Sequence, residues 1–253
     1  MSEFVVAVIV CLCVMSGAAL GILLRNVLPP EHMSEPSRNI VNVAIGLVAT
    51  LAALVLGLLV ASAKSSFDAR NDEVKQSATR LVVLDRTLRQ YGPDAKSVRE
   101  LVRELTQQRI DRRWNKVEDV DRSRQLRADA AKSEAIRGKL FELTPANDAQ
   151  RWLLGRALVL TSDIEQARWL LVETDESSIP APFLVVLVFW LAAIFCALGL
   201  FSPRNATVYV VLAVCAISVS TAILMILEMD QPFEGLLQVP NAPLVSAVEE
   251  MRQ

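Results

Sequence analysis

Glu228 and Asp230 are the first candidates for chemistry in this sequence, because they directly follow a long apolar stretch. Carboxylates at a membrane boundary attract cations, and with backbone oxygens they can coordinate one. The alternative is that both side chains are simply solvated at the interface. The pair is therefore a candidate membrane-boundary ion site, and both interpretations remain open.

His32, the only histidine of the chain, lies between Glu31 and Glu35 in a proline-rich segment. One imidazole with two carboxylates is a minimal ligand set, and its place in such a loop is poor support for a metal. The chain also lacks a nucleophile and base at recognisable spacing and a glycine-rich phosphate loop. We therefore predict no metal, no cofactor, no catalytic residue and no enzymatic activity.

Small residues recur at every fourth position of the second apolar stretch, at Ala49, Ala53, Gly57 and Ala61. This spacing makes a flat ridge where another helix backbone can come close. Asn42 and Thr50 add polar groups on a neighbouring face, although a threonine hydroxyl in a membrane helix usually bonds to its own backbone. The ridge either lines a pore or subunit contact, or it packs within one four-helix unit.

Four apolar stretches must position these residues, and they cover 4–24, 40–63, 183–201 and 207–228. Each is close to the roughly 20 residues that a helix needs to cross a bilayer. The first lacks the basic region of a secretory signal, so we interpret it as a retained anchor. The pattern predicts an all-α integral membrane protein with four transmembrane helices in two pairs and a long helical cytoplasmic insert.

The insert reads as helix almost throughout, and we expect no sheet. Phe67, Val74, Leu81 and Leu88 repeat every seven residues, which predicts a helix that continues from the second span and ends at the sequence Tyr91-Gly92-Pro93. The predicted domains are 1–63 with the first helix pair, 64–182 as the charged helical insert, 183–228 with the second pair, and 229–253 as a cytoplasmic C-terminal segment.

Two further helices are predicted in the insert. One begins near Asp94 and buries Val98, Leu101, Val102 and Leu105. The other begins with Thr144 as its cap and Pro145 in its first turn. Its apolar stripe comprises Trp152, Leu153, Leu160, Ile164, Ala167 and Leu171.

Four spans place both termini and the insert on one side of the membrane. The basic residues near the spans nearly balance, with Lys64, Arg70 and Lys75 on the insert side and Arg25, Arg38 and Arg204 opposite. All four cysteines, Cys11, Cys13, Cys196 and Cys215, lie in apolar stretches, so the insert has no disulfide framework. We expect termini and insert in the cytoplasm, and a net charge of -2 argues against a nucleic-acid partner.

Several short runs resemble bacterial four-span proteins of unknown activity that are described as having a bestrophin-like domain. In the first half they are Leu28, Pro29 and His32, the run from Val48 to Gly57 and Leu58, Ala61 to Lys64, Leu84 to Arg86, and Tyr91 to Pro93. In the second half they are Pro145 to Trp152, Arg204 to Thr207, then Glu228, Asp230, Pro232, Phe233, Gly235, Pro243 and Leu244.

A more distant resemblance links the chain to bestrophin channels, through a glutamate followed closely by Pro-Phe after the last span and a later Pro-Leu. This resemblance implies a homo-oligomer, with the bestrophin pentamer as its pattern, that carries inorganic ions across a lipid bilayer. The bestrophin neck has bulky apolar and aromatic residues on its second span, whereas this second span has no aromatic residue before Phe67. No neck residue is therefore carried over by position.

Two functions compete at this stage. The first is a homo-oligomeric bestrophin-like ion channel of unknown ion, in the inner membrane, with second spans around its axis. The second is a membrane-anchored helical scaffold or signalling protein without transport activity. They differ in one observable, because only the channel requires several copies around a conducting axis.

Overall fold

The computed structural model describes residues 3–29, 34–114, 122–173, 180–203, 205–231, 233, 235 and 237–252. Every regular element in this part of the chain is helical, which confirms the predicted all-α class. The α-helices are α1 (Glu3–Val27), α2 (Glu35–Tyr91), α3 (Lys96–Trp114), α4 (Arg122–Glu142), α5 (Asp148–Glu173), α6 (Ala181–Phe201), α7 (Ala206–Asp230) and α8 (Ala242–Glu250).

Helices α1, α2, α6 and α7 are long and apolar enough to cross a membrane. The predicted stretches 4–24, 40–63, 183–201 and 207–228 all lie within them. In hydrocarbon each backbone polar group needs an internal partner, and a helix supplies it within its own segment. The protein is therefore an all-α membrane protein, as the sequence predicted.

Helix α2 continues without a break from its apolar segment into the charged insert, as predicted, and spans 57 residues. Its seam residues Val74, Leu81 and Leu88 are buried. The helix ends before Gly92, whose φ of 123° lies in a region that residues with a Cβ rarely adopt. Pro93 then begins a short 3-10 helix, Pro93–Ala95.

The chain forms two compact units. The membrane unit comprises Met1–Phe67 and Ser177–Leu237, and the insert unit comprises Asp68–Glu176 and Gln238–Gln253. Helix α2 contributes to both units, and α8 belongs to the insert unit. The C-terminal helix is thus part of the insert's own packing.

In the insert unit one apolar cluster collects side chains that are distant in sequence. Leu84 and Leu88 of α2 pack in it with Val98 of α3, Leu140 of α4 and Ala157 of α5. The predicted apolar positions Val98, Val102, Leu105 and Leu160 are all buried. The helices of the insert unit are amphipathic, with charged residues on their outer sides. Their apolar side chains leave water only when the helices pack against one another.

A buried carboxylate joins three helices of the insert unit. Asp85 is 3% exposed and accepts two hydrogen bonds from Arg99, at 2.7 Å from Nε and 3.0 Å from Nη2. The hydrogen bond to Asp85 raises the pKa of Arg99 above its ordinary value. Arg89 Nη2 also donates to Asp85, at 3.1 Å. Arg99 and Arg89 further donate to the carbonyl oxygens of Met251 and Glu250, which holds the end of α8.

Two predictions about α5 were wrong. Its cap is Asn147, not Thr144, because α5 begins at Asp148 and the Asn147 Oδ1 accepts from the Gln150 amide at 2.8 Å. The predicted apolar stripe included Trp152, yet this side chain is 69% exposed and does not share the burial of Leu160 and Ala167. One residue advances about 100° around a helix, so Trp152 lies well off the stripe that starts at Leu153.

Candidate functional site

Helix α2 packs on the rest of the membrane unit through one narrow face. Ala52, Leu59 and Ala63 are buried in the apolar core of this unit, and Val55 and Leu56 pack against that core. Their spacing of three and four residues keeps them on one side of the helix. The described residues of the membrane unit cover little of the remaining circumference of the apolar segment.

The predicted small-residue ridge lies mostly on this uncovered part of α2. Ala53, Gly57 and Ala61 are exposed, and Ala49 is half-buried. A Cβ built on Gly57 meets no described atom within 4 Å. Packing within a single four-helix unit, one of the two interpretations, therefore does not account for the ridge in the described membrane unit.

Polar groups accompany the ridge. Asn42 and Thr50 are both exposed. The Thr50 hydroxyl donates to the Leu47 carbonyl at 2.7 Å, which is the backbone bond expected of a threonine in a membrane helix. The hydroxyl oxygen keeps its lone pairs for another donor or for an ion.

Sequence reasoning missed Gly46, which belongs to the same face. It lies four residues from both Asn42 and Thr50, is exposed, and has no described atom within 4 Å of a built Cβ. Its four-residue spacing was the available signal. Seven residues thus form what we name the small face of α2: Asn42, Gly46, Ala49, Thr50, Ala53, Gly57 and Ala61.

A second exposed face of α2 is made of large apolar side chains. It comprises Ile40, Leu47, Leu51, Leu54 and Leu58, each between 45% and 72% exposed. The exposed circumference therefore carries two surfaces of different chemistry. Leucine side chains are as apolar as lipid tails and pack well against them. Small residues instead allow the backbone of another helix to come close.

Close helix packing inside the membrane unit uses other glycines, which the sequence analysis overlooked. A Cβ on Gly21 of α1 would overlap the Cys196 carbonyl, and one on Gly199 of α6 would overlap the Ala18 carbonyl. Gly17 faces the Ala192 backbone in the same way. Gly17 and Gly21 form a Gly-x-x-x-Gly pair, which was the signal for this contact.

The two boundary carboxylates are buried in the structure. Glu228 is 7% exposed and Asp230 is 4% exposed, so neither is solvated as the simpler interpretation supposed. The Glu228 Oε2 accepts from the Leu237 amide at 3.5 Å. Gly235 has a φ of 83°, and a Cβ there would overlap the Glu228 carboxylate. Gly235 and Leu237, which follow α7, thus lie against this side chain.

His32 and Glu31 lie outside the described residues, as do Pro232 and Glu234. Within the described part of the chain, no group of three or more histidine, cysteine or acidic residues is arranged to hold a metal ion.

Comparisons with known proteins bear on the whole fold. A family model described as Bestrophin-like domain matches residues 12–244. The crystal structure of a bacterial bestrophin homologue from Klebsiella pneumoniae, carrying a point mutation, aligns with a TM-score of 0.64. The two sequences are 13% identical, and the alignment covers 94% of this chain and 97% of that chain.

A second crystal structure, of a membrane protein with a point substitution, aligns with a TM-score of 0.57 at 13% identity. This alignment also covers 94% of this chain and 97% of that chain. No curated protein matches the chain. At such low identity the two structures show the shared fold.

Proposed function

The chain belongs to the bestrophin-like family, and from that premise we propose that it forms a homo-oligomeric ion channel. Our proposal places the small face of α2 at the channel axis or at the contact between neighbouring α2 helices. The observation that carries it is the exposure of this face: Gly46 and Gly57 have no described atom within 4 Å of a built Cβ.

The chemistry of the small face supports conduction. Glycine and alanine leave room at the axis, and the Asn42 amide together with the Thr50 hydroxyl offers both donor and acceptor groups to a partly dehydrated ion. The seven residues include no charged side chain, so they impose no strong preference for cations or for anions. The ring would be built from several copies, with the bestrophin pentamer as the specific expectation.

Glu228 and Asp230 are the second part of the proposal, as an ion site at the membrane boundary. Both side chains are buried at the end of α7, and carboxylate oxygens are ligands that a cation at a membrane boundary can use. Glu228 also accepts from the Leu237 amide, which supports a role in holding the segment after α7. Thermal unfolding with and without added divalent cations would test the ion site, since a bound cation must raise the midpoint.

We also propose an orientation, with both termini and the insert in the cytoplasm and the four spans in the inner membrane. The absence of cysteine from the insert sequence supports it. A single cysteine introduced at the exposed Lys96 should not react with an impermeant thiol reagent added to intact cells. Labelling of this cysteine in intact cells would show that the insert lies on the opposite side of the membrane.

Two measurements test the channel proposal: the mass of the purified oligomer, and then the flux of ions across liposome membranes. We expect the purified protein to be a ring of several copies and to release ions from liposomes. Gly57→Leu should change that flux because it fills the small face. Leu54→Phe adds bulk to the leucine face of the same helix and is the matched control.

If Gly57→Leu prevents assembly, the smaller change Thr50→Val tests the same face without added bulk. A stable monomer in several mild detergents and in nanodiscs would contradict the channel. So would an oligomer without flux, which would favour the scaffold function instead.

A further inference from the structure

A cavity of about 30 Å³ lies in the core of the insert unit, between helices α2, α3, α4 and α5. Six of its lining residues are apolar members of the cluster described above, and five are polar. All of them lie within Asp68–Glu176, so the cavity belongs to one compact unit. It therefore combines an apolar wall with groups that can form hydrogen bonds.

Three residues with hydroxyl groups line the cavity, and each comes from a different helix. Thr106 belongs to α3, Ser133 to α4 and Thr161 to α5. Their exposed fractions are 5%, 5% and 6%, so bulk water does not solvate them. A buried hydroxyl is stable only when its hydrogen-bonding groups find partners inside the protein.

The two threonine hydroxyls have already used their hydrogens within their own helices. Thr106 Oγ1 donates to the Val102 carbonyl at 2.8 Å, and Thr161 Oγ1 donates to the Ala157 carbonyl at 2.8 Å. A hydroxyl has one hydrogen and two lone pairs, so each oxygen can still accept a hydrogen bond. The threonines therefore offer acceptors and no further donor.

Ser133 offers the opposite group. Its Oγ accepts from Arg109 Nη2 at 3.3 Å. Among the described residues, the hydrogen of the Ser133 hydroxyl has no acceptor. An unmade bond at a buried donor is unfavourable. An occupant that accepts from Ser133 and donates to the two threonines would therefore satisfy all three hydroxyls.

The charges at the cavity favour a neutral occupant. Arg109 and Glu165 both line it, so a cation and an anion would each meet a like charge. Arg109 Nε lies 3.9 Å from Asp129 Oδ2, and Glu165 Oε2 accepts from Arg137 Nη2 at 2.9 Å. Each of the two charges thus has a partner of opposite sign within the insert unit. Neither sign of ion is selected.

The volume of the cavity restricts the occupant to water. A cavity needs about 10–15 Å³ to hold one water molecule, whereas a cavity of about 150 Å³ is needed for benzene. The volume of about 30 Å³ is therefore too small for an organic ligand and large enough for water. A buried water molecule typically makes about three hydrogen bonds, and three hydroxyls line this cavity.

We propose that the cavity binds ordered water and that one water molecule joins α3, α4 and α5. This water accepts from Ser133 and donates to Thr106 and Thr161. Hydrophobic packing has no direction, whereas a bridging water adds directed bonds between the three helices. The site is independent of the channel proposal, because it uses only contacts within the insert unit.

Magnetic relaxation dispersion of the water oxygen nucleus counts water molecules that stay in a protein for longer than its tumbling time. On the full chain in detergent, the double variant Thr106→Val and Thr161→Val should lose at least one such water. It leaves the water with one hydroxyl partner, and a buried water needs two to four. Thr87→Val is the matched control, because Thr87 is 7% exposed and donates to the Val83 carbonyl at 2.7 Å but does not line the cavity.

The count of long-lived water molecules decides the proposal. A count that falls in the double variant and stays at the wild-type value in Thr87→Val supports the site. An unchanged count in the double variant overturns it, and so does an equal fall in the control.

Stability gives a second readout, which does not depend on the double variant. Thr106→Val removes one acceptor of the water, so the midpoint of thermal unfolding should fall by about 2–4 °C below that of Thr87→Val. Both variants lose the same type of bond to the backbone of their own helix, so their difference reports the cavity. A dry cavity would favour valine, because valine is more apolar than threonine. A midpoint of Thr106→Val equal to or above that of Thr87→Val would overturn the proposal.

Discussion

Different interactions stabilise the interior of the membrane unit and the interior of the insert unit. In the membrane unit, Gly21 and Gly199 bring α1 and α6 into backbone contact. In the insert unit, apolar side chains interdigitate and the carboxylate of Asp85 is buried against Arg99. Lipid tails are as apolar as leucine, so helix association in a bilayer depends on close packing rather than on hydrophobic burial, whereas the hydrophobic effect drives amphipathic helices together in water.

A second contrast lies within the membrane unit, between α1 and α2. The glycines of α1 are covered by α6, but Gly46 and Gly57 of α2 face open space. The same residue type thus serves packing inside the protomer in one helix and is left uncovered in the other. The contrast shows that the described packing inside the protomer covers the glycines of α1 and leaves Gly46 and Gly57 of α2 uncovered.

Gly21→Leu should have the largest effect, because its side chain would overlap the backbone of α6. We expect the free energy of unfolding to fall by on the order of 3 kcal/mol or more, or the variant to fail to fold. Thermal unfolding in detergent and the monodisperse yield measure it. Gly57→Leu adds the same atoms at an open site of α2 and is the control. Equal stability of the two variants would refute the contrast between α1 and α2.

Asp85→Ala should cause the next largest loss of stability. It leaves the Arg99 guanidinium, whose side chain is 23% exposed, without its main partner, and we expect a loss of about 3 kcal/mol. Arg86→Ala breaks an ion pair with Glu250 whose side chains are 63% and 38% exposed, and should cost about 0.2–1 kcal/mol. Denaturant unfolding of the full chain compares them, and similar losses would show that burial of Asp85 is unimportant.

Tyr91→Phe should stabilise the insert unit by about 1 kcal/mol, because the Tyr91 hydroxyl is buried and has no hydrogen-bond partner among the described residues. Burial, with a smaller contribution from Asp94, raises the pKa of Tyr91 above its ordinary value of 10. The folded state therefore holds this proton more tightly than the unfolded state. Stability from this group is complete below about pH 10 and is lost as the pH rises through the folded pKa.

Unfolding measured from pH 8 to pH 11 tests both parts of this prediction. The wild-type protein should lose stability at the alkaline end more steeply than the Tyr91→Phe variant. Tyr209→Phe, on the half-exposed tyrosine of α7, should stay within about 0.5 kcal/mol of wild type at neutral pH. Destabilisation by Tyr91→Phe would mean that the hydroxyl has a partner.

Thr50→Val should have the smallest effect on the protomer. The Thr50 hydroxyl bonds only to the Leu47 carbonyl of its own helix among the described residues, so unfolding should change by less than about 0.5 kcal/mol. Ion flux should nevertheless change if the small face lines the axis. Unchanged flux in a variant that assembles normally would remove Thr50 from the conducting surface.

Local patterns in the sequence were enough to predict the elements. The four spans follow from apolar length, and the continuous α2 follows from a seven-residue seam that the structure buries at Val74, Leu81 and Leu88. The end of α2 at Gly92 and Pro93 was also predicted, because these residues stop a helix by their own backbone chemistry.

Contacts between distant residues were not predicted. Asp85 and Arg99 are 14 positions apart, and nothing local distinguishes them from the other charged residues of the insert. Trp152 was included in the apolar stripe of α5 because it is apolar, and its exposure depends on which side of α5 meets the core.

The sequence by itself therefore determined that this is a four-span helical membrane protein whose second span extends into the insert, since length, periodicity and breakers act within one segment. Only the tertiary structure decided which small residues are covered. Gly21 and Gly57 both have small residues four positions away, but one meets the backbone of α6 and the other meets no described atom within 4 Å. Helix propensity and hydropathy are properties of one segment, whereas burial is a property of the neighbours that the fold brings to it.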